Sequence, residues 1–211
     1  MAHLDLEEQE QLAQLKSWWA EYGNLVVGTL VAIALALSGY LGWRIWQDSQ
    51  SGAASNLYET LSKATQANDA KAVKDSSGEL LEKYPRTLYA SMGALTSAKF
   101  HFDKNDLKSA KAQLQWVVDN TSSEEFRDIA RLRLANVLLD EKAPDEALKV
   151  LQAKHGAAFE VQFAALRGDV LVAKGQPADA RTAYKFALEK AGDKNRGMNE
   201  SIQMRLDALG S

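Results

Sequence analysis

Apolar and polar positions divide the chain into two kinds of sequence. Between residues 22 and 43 no Asp, Glu, Lys or Arg occurs, and the stretch 24–43 reads NLVVGTLVAIALALSGYLGW. A membrane span needs about 20 mainly apolar residues, and a core helix of that length would carry a polar face. Trp18, Trp19 and Tyr22 precede the run and Trp43 and Trp46 close it, which is the aromatic girdle of a helix that meets two headgroup layers. The pattern predicts one transmembrane helix over 22–46. Beyond it, apolar residues recur at spacings of three and four, the period of amphipathic helices. Helices are predicted over 55–67, 69–83, 87–103, 106–120, 123–141, 144–154, 157–174, 177–191 and 198–209. The breaks fall at Asn68-Asp69, Tyr84-Pro85, Asn105-Asp106, Ala143-Pro144, Gly156 and Gly175-Gln176-Pro177. No stretch alternates with period two, so an all-α fold without a sheet is expected.

The segments around the span complete the organisation. Residues 1–21 form an acidic tail, with Asp5, Glu7, Glu8, Glu10 and Glu21 against Lys16. Leu12, Leu15, Trp19 and Tyr22 are spaced as in a short amphipathic helix, or as the solvated first turns of the span itself. A cleavable signal would start basic and carry a shorter apolar core, and the lack of cysteine excludes a lipoprotein signal. An uncleaved anchor is the simplest expectation. After it, 47–54 is a small and polar joint suited to a linker, and 55–211 is long enough for one domain. Within the span, Gly28, Ala32, Ala36 and Gly39 form a strip of small residues. Such a strip lets a second membrane helix pack closely, although Gly and Ala are common in any membrane helix.

Internal repetition organises the large domain. The segment LRLANVLLDEKAPDEALKVL matches LRGDVLVAKGQPADARTAYKFAL with Ala147 over Ala180, Ala135 over Gly168, Leu138 over Leu171 and Pro144 over Pro177. A weaker copy, TSAKFHFDKNDLKSAKAQLQWV, places Ala98 and Ala110 at the same two small positions. Small residues at these places let the two helices of a hairpin approach, and stacking of hairpins buries the faces that one hairpin leaves open. The pattern resembles the tetratricopeptide repeat, a helix hairpin of about 34 residues. His101 departs from it where the other copies have Leu138 and Leu171, and Asn105 and Lys142 stand where the third copy has Gly175. The first hairpin, from Ser55 to Pro85, follows the pattern only loosely.

The acidic tail, WWAEYGN entering the span, GWRIWQ leaving it, LRLANVLL and LRGDVLVAKGQPADAR together resemble the YfgM family. The resemblance implies an ancillary subunit of the bacterial Sec translocon in the inner membrane, with a cytoplasmic N-terminus and a periplasmic repeat domain. It further implies the Sec channel and a membrane-anchored periplasmic chaperone of the PpiD type as partners, with unfolded exported chains as candidate ligands. A scaffold of another envelope complex, in division or outer-membrane biogenesis, is the alternative function. Charge alone does not orient the span, since Lys16 lies on one side and Arg44 and Lys63 on the other.

Composition narrows the chemistry. Outside the tail, bases and acids nearly balance, so no nucleic-acid surface is expected. HExxH, GxxxxGK, GxGxxG and GxSxG are absent, and no enzyme, cofactor or metal site is expected. His3, His101 and His155 lie in three separate segments, with His101 in the helix-packing pattern. Glu124-Glu125 and Asp145-Glu146 fall at helix starts, where acids favour the positive end of the dipole. Projecting the repeat onto a solenoid places Lys99, Phe102, Asp103, Ile129, Leu132, Asn136, Leu139, Asp140, Asp169 and Val172 on or near its concave, partner-binding face, although several could equally be core. Arg167 and Asp169 flank Gly168, either as members of an ion pair or solvated rim within the repeats or as contacts for a partner.

Overall fold

The computed structural model describes residues 6–192 and 196–210, with side chains from Glu8 onward; His3 and Asp5 of the acidic tail lie outside the described residues. The chain divides into two compact units, Met1–Ser49 and Gln50–Ser211. Among the described residues no strand occurs, and the elements in order are α1 (Leu6–Gln66), α2 (Ala70–Lys83), α3 (Leu88–Asp103), α4 (Leu107–Asn120), α5 (Glu124–Asp140), α6 (Pro144–Leu151), a single 3-10 turn (Ala157–Phe159), α7 (Glu160–Ala173), α8 (Pro177–Ala191) and α9 (Arg196–Asp207).

In the first unit, α1 exposes nearly all its apolar side chains, among them Leu25, Leu30, Leu35 and Leu41. Its length and composition suffice to cross a membrane. Trp18 lies 5.9 Å from Tyr22 between ring centroids, and Tyr40 lies 6.5 Å from Trp43. Gly23 is buried because the Trp19 indole folds over it, 3.2 Å from where a Cβ would stand. The joint expected over 47–54 is helical instead, since α1 runs through it. No proline interrupts the segment, and Gly52 costs only about 1 kcal/mol relative to alanine in a helix interior.

The second unit is a row of helix hairpins. The C-terminal turns of α1 share an apolar cluster with α2; α3 then pairs with α4, α5 with α6 and α7 with α8, and α9 packs on α8. Four turns share one geometry. Asn68, Asn105, Lys142 and Gly175 all adopt positive φ, from 58° to 72°. At each, the following N–H bonds the carbonyl five residues back: Asp69 to Ala64, Asp106 to His101, Ala143 to Leu138 and Gln176 to Leu171, at 2.8–3.0 Å. This is the Schellman closure. Asn tolerates the left-handed region through its short polar side chain, which explains how Asn68 and Asn105 replace Gly175. The first hairpin, loosely matched in sequence, therefore makes the same turn as the others.

The small positions are buried as the repeat requires. Ala98, Ala135 and Gly168 lie beneath their partner helices, and Ala110, Ala147 and Ala180 are fully enclosed. Three apolar clusters follow the row: Leu61, Val73 and Leu80 in the first hairpin, Leu114, Leu134 and Leu138 in the middle, and Tyr184, Ala187 and Ile202 at the end. Asp69, Thr87, Asp106 and Ser123 cap α2 to α5 through their side chains. Pro144 and Pro177 start α6 and α8, where a missing N–H costs nothing.

Helix α6 ends at Leu151, short of the expected 154. The loop after it is drawn to α5 by Asp128. This buried carboxylate accepts the Gly156 N–H at 2.8 Å and the Arg131 guanidinium at 3.2 Å, and Arg131 also donates to the Lys154 carbonyl at 2.8 Å. A helix continued through Lys154 would forgo these bonds.

Candidate binding groove

The first helices of successive hairpins, α3 and α5, leave a cleft of about 450 Å³ between them, backed by Leu114 of α4. Lys99, Phe102 and Asp103 line it from α3, and Arg133, Asn136, Leu139 and Asp140 from α5. A second cleft, of about 430 Å³, includes Lys99, Asp103 and Arg133 and adds Tyr58, Phe126 and Ile129. The two share a wall and form one groove over α3 and α5, reaching the last turns of α1.

Its electrostatics are uneven. Lys99 and Asp103, one turn apart, bind each other at 2.6 Å. Among the described residues, Arg133 makes one hydrogen bond, to the Leu95 carbonyl at 3.4 Å. Among the described residues, Asp140 has neither a hydrogen-bond nor an ion-pair partner. An apolar patch of Phe102 and Leu139 thus lies with a weakly engaged cation and a free anion on α5. Such a surface suits a peptide that presents an apolar side chain with charges of both signs.

The ten predicted groove residues separate into three groups. Lys99, Phe102, Asp103, Ile129, Asn136, Leu139 and Asp140 line the groove. Leu132 is half-buried against the central apolar cluster. Asp169 and Val172 lie on α7: Val172 is exposed, while Asp169 accepts the Tyr184 hydroxyl at 2.8 Å and Arg205 of α9 at 2.7 Å. Asp169 is thus ion-paired, to the terminal helix α9 rather than within its own repeat. Burial, and then the hydrogen bond to Asp169, pushes the Tyr184 phenol above its usual range. Arg133, Tyr58 and Phe126 are among the lining residues that sequence reasoning missed. Arg133 was within reach, because it stands four residues after Ile129 and three before Asn136 on one face of α5.

The model of the tetratricopeptide repeat-like domain family matches residues 16–211. Curated relatives called "Ancillary SecYEG translocon subunit" match almost end to end. The one from Haemophilus influenzae is 32% identical over 97% of this chain and 98% of its own, and that from Neisseria gonorrhoeae is 31% identical over 97% and 98%. The one from Escherichia coli is 30% identical over 96% of each. The chain belongs to the YfgM family of ancillary SecYEG translocon subunits. No solved structure matches it.

In this family member the two described histidines, His101 and His155, pack within the hairpin row. His101 Nδ1 lies 3.0 Å from Asp106, the cap of α4. Hydrogen bonds from the Ser109 hydroxyl and N–H hold the Asp106 carboxyl below the usual carboxylate range. His155 stacks on Phe163, with centroids 4.1 Å apart. Among the described residues, no three His, Asp or Glu side chains converge as a metal site would require. On α1, Gly28, Ala32, Ala36 and Gly39 are all exposed, and a Cβ added at Gly28 or Gly39 would meet nothing within 4 Å.

Proposed function

We propose that the protein is a membrane-anchored, non-enzymatic ancillary subunit of the SecYEG translocon. In this reading the apolar part of α1 crosses the inner membrane with the N-terminus cytoplasmic, and the hairpin row lies in the periplasm. The observation that carries it is the similarity to ancillary SecYEG subunits, which extends through both the apolar helix and the repeats. Two surfaces divide the work. The strip of Gly28, Ala32, Ala36 and Gly39 packs against a membrane helix of the channel, where close backbone approach supplies the association energy. The α3–α5 groove holds a periplasmic partner, a PpiD-type chaperone or an unfolded exported chain, and so links the channel to chaperones.

Co-purification from gently solubilised membranes tests both surfaces. The natural protein should bring down SecYEG and the chaperone. Exchanging the span for an unrelated membrane helix should weaken recovery of the channel, and reversing charge at Lys99 or Asp140 should weaken recovery of the chaperone while the protein stays in the membrane. Charge reversal at Asp169 would also break its pair with Arg205 of α9. Failure of the natural protein to retain SecYEG would overturn the reading. Full recovery of both partners by every variant would overturn the two-surface division.

A further inference from the structure

Three of the first helices carry a side chain at the same place, four residues after the small position: Phe102 after Ala98, Leu139 after Ala135 and Val172 after Gly168. All three are apolar. Among the described residues of the second unit five large apolar side chains are exposed, and two of them, Phe102 at 39% and Val172 at 41%, hold this one place. Leu139, in the middle of the series, is half-buried and shares the α3–α5 cleft with Phe102. Helix α3 packs on α5 and α5 on α7, so the three form an apolar row that runs across the helices and leaves the cleft at Val172.

The charges around the row are matched except at its centre. Lys99 and Asp103 bind each other beside Phe102, and Asp169 holds Arg205 and Tyr184 beside Val172. The other charged residues of the cleft are Arg133 and Asp140. Arg133 stands seven residues before Asp140, two turns and about 10 Å away along α5. Next to Leu139 the unpaired charge is therefore the Asp140 carboxylate.

Packed helices lie about 8–10 Å apart, which sets the interval between successive side chains of the row. A ligand that crosses the helices must present apolar side chains at that interval. A β-strand returns to one face every two residues, about 6.7 Å, and misses it. Polyproline II has three residues per turn and rises about 3.1 Å per residue, so every third side chain returns to one side after about 9.3 Å. An α-helix comes near only at seven residues, about 10.5 Å, and the other residues of its apolar stripe would land between the members of the row.

We propose that the row binds a polyproline II segment of an unfolded chain, with an apolar residue at every third position and a Lys or Arg beside the one that meets Leu139. The proposal rests on the reading of the groove as a peptide site, and it selects the unfolded chain over the chaperone as the occupant. Polyproline II is a major conformer of unfolded chains, so little ordering is needed to bind it. The base complements the free Asp140 carboxylate.

Fluorescence anisotropy on the full-length protein in lipid nanodiscs tests the row with three synthetic peptides. One has Leu at every third position, Pro in between and a central Lys; a second has the same composition with Leu at alternate positions; a third is helical with Leu at every seventh. The first should bind about tenfold or more tighter than either of the others, and should lose about tenfold or more with Val172→Asp or Phe102→Ser. Phe186→Ser, on α8 outside the row, should change nothing. Asp140→Asn should weaken the Lys peptide and spare its glutamine counterpart. Thermal unfolding checks each variant; if Phe102→Ser proves unstable, the exposed Val172→Asp carries the test. The row is overturned if none of the peptides binds, if the alternate or helical peptide binds as tightly as the first, or if Val172→Asp binds like the natural protein. An Asp140→Asn variant that holds the Lys peptide unchanged would overturn the base. Peptide binding needs no SecYEG, so failure of the row is read apart from failure of the translocon reading, which co-purification reports.

Discussion

In the first hairpin, the place equivalent to Ala98, Ala135 and Gly168 is filled by Leu61, and its counterpart across the hairpin is Ser77; in the last hairpin the same two places hold Gly168 and Tyr184. The middle hairpins lie between these extremes, with Ala98 and Leu114, then Ala135 and Leu151. All eight residues are buried. From one end of the row to the other, volume moves from the first helix of the hairpin to the second, and the sum changes far less than either member. Close-packed interiors demand this, because neither a void nor an overlap is tolerated cheaply. The last hairpin gains something the first lacks: a tyrosine long enough to reach Asp169, and through it Arg205 of α9.

Exchanging the extremes tests whether volume defines the repeat. A Cβ on Gly168 would stand 2.3 Å from a Tyr184 ring carbon, so even alanine forces a shift. Gly168→Leu should cost about 3 kcal/mol or more, read as a lowered midpoint in thermal or urea unfolding. The double variant Gly168→Leu with Tyr184→Ser recreates the Leu61 and Ser77 pair and should recover part of that loss. A double variant no more stable than Gly168→Leu alone would break the volume argument.

The α5–α6 hairpin has its own device in Asp128, and removing it should have the next largest effect. Asp128→Ala deletes the acceptor for both Gly156 and Arg131 inside a nearly closed site, at a cost of about 2–3 kcal/mol. Asp128→Asn keeps an acceptor oxygen and should cost less. Amide hydrogen exchange would locate the change, with Gly156 losing protection first.

Tyr184→Phe sharpens the comparison from the other end. It keeps the ring that fills the space over Gly168 and removes only the hydroxyl, so about 1 kcal/mol should be lost. Because Asp169 keeps Arg205, α9 should loosen rather than detach. Faster exchange confined to α9, with the rest of the row unchanged, is the expected signature.

Much of this was legible in the sequence, and the parts that were not share a reason. The hairpin turns, the paired prolines and the small positions of 87–191 follow from local chemistry, and the structure carries the same turn back to Asn68. The large-for-small exchange at Leu61 and Ser77 hides the first hairpin from any reading that looks for small residues at fixed places, since volume is shared between helices distant in sequence. The groove on α3 and α5 could be projected from helical period, but Asp169 and Val172 could not be separated from it, because Arg205 reaches Asp169 from 36 residues away. The premature end of α6 was equally hidden: Asp128 lies 28 residues before the Gly156 that it holds.

The smallest expected effect concerns pH and the second hairpin turn. Asp106 caps α4 through the Ser109 N–H, and its carboxyl is held below the usual range by the Ser109 hydroxyl and N–H, with His101 contributing less. A carboxyl whose folded pKa is lowered contributes stability that is present above its unfolded value, near 3.8, and is lost as pH falls through the folded one. The side chain is 43% exposed, so solvent screening keeps the effect small. Asn caps a helix about as well as Asp and does not titrate. Asp106→Asn should therefore leave the unfolding midpoint near neutral pH almost unchanged while making the fall in stability below about pH 4 shallower. An acid limb as steep in Asp106→Asn as in the natural protein would remove Asp106 from the origin of that pH dependence and leave the cap as its only role.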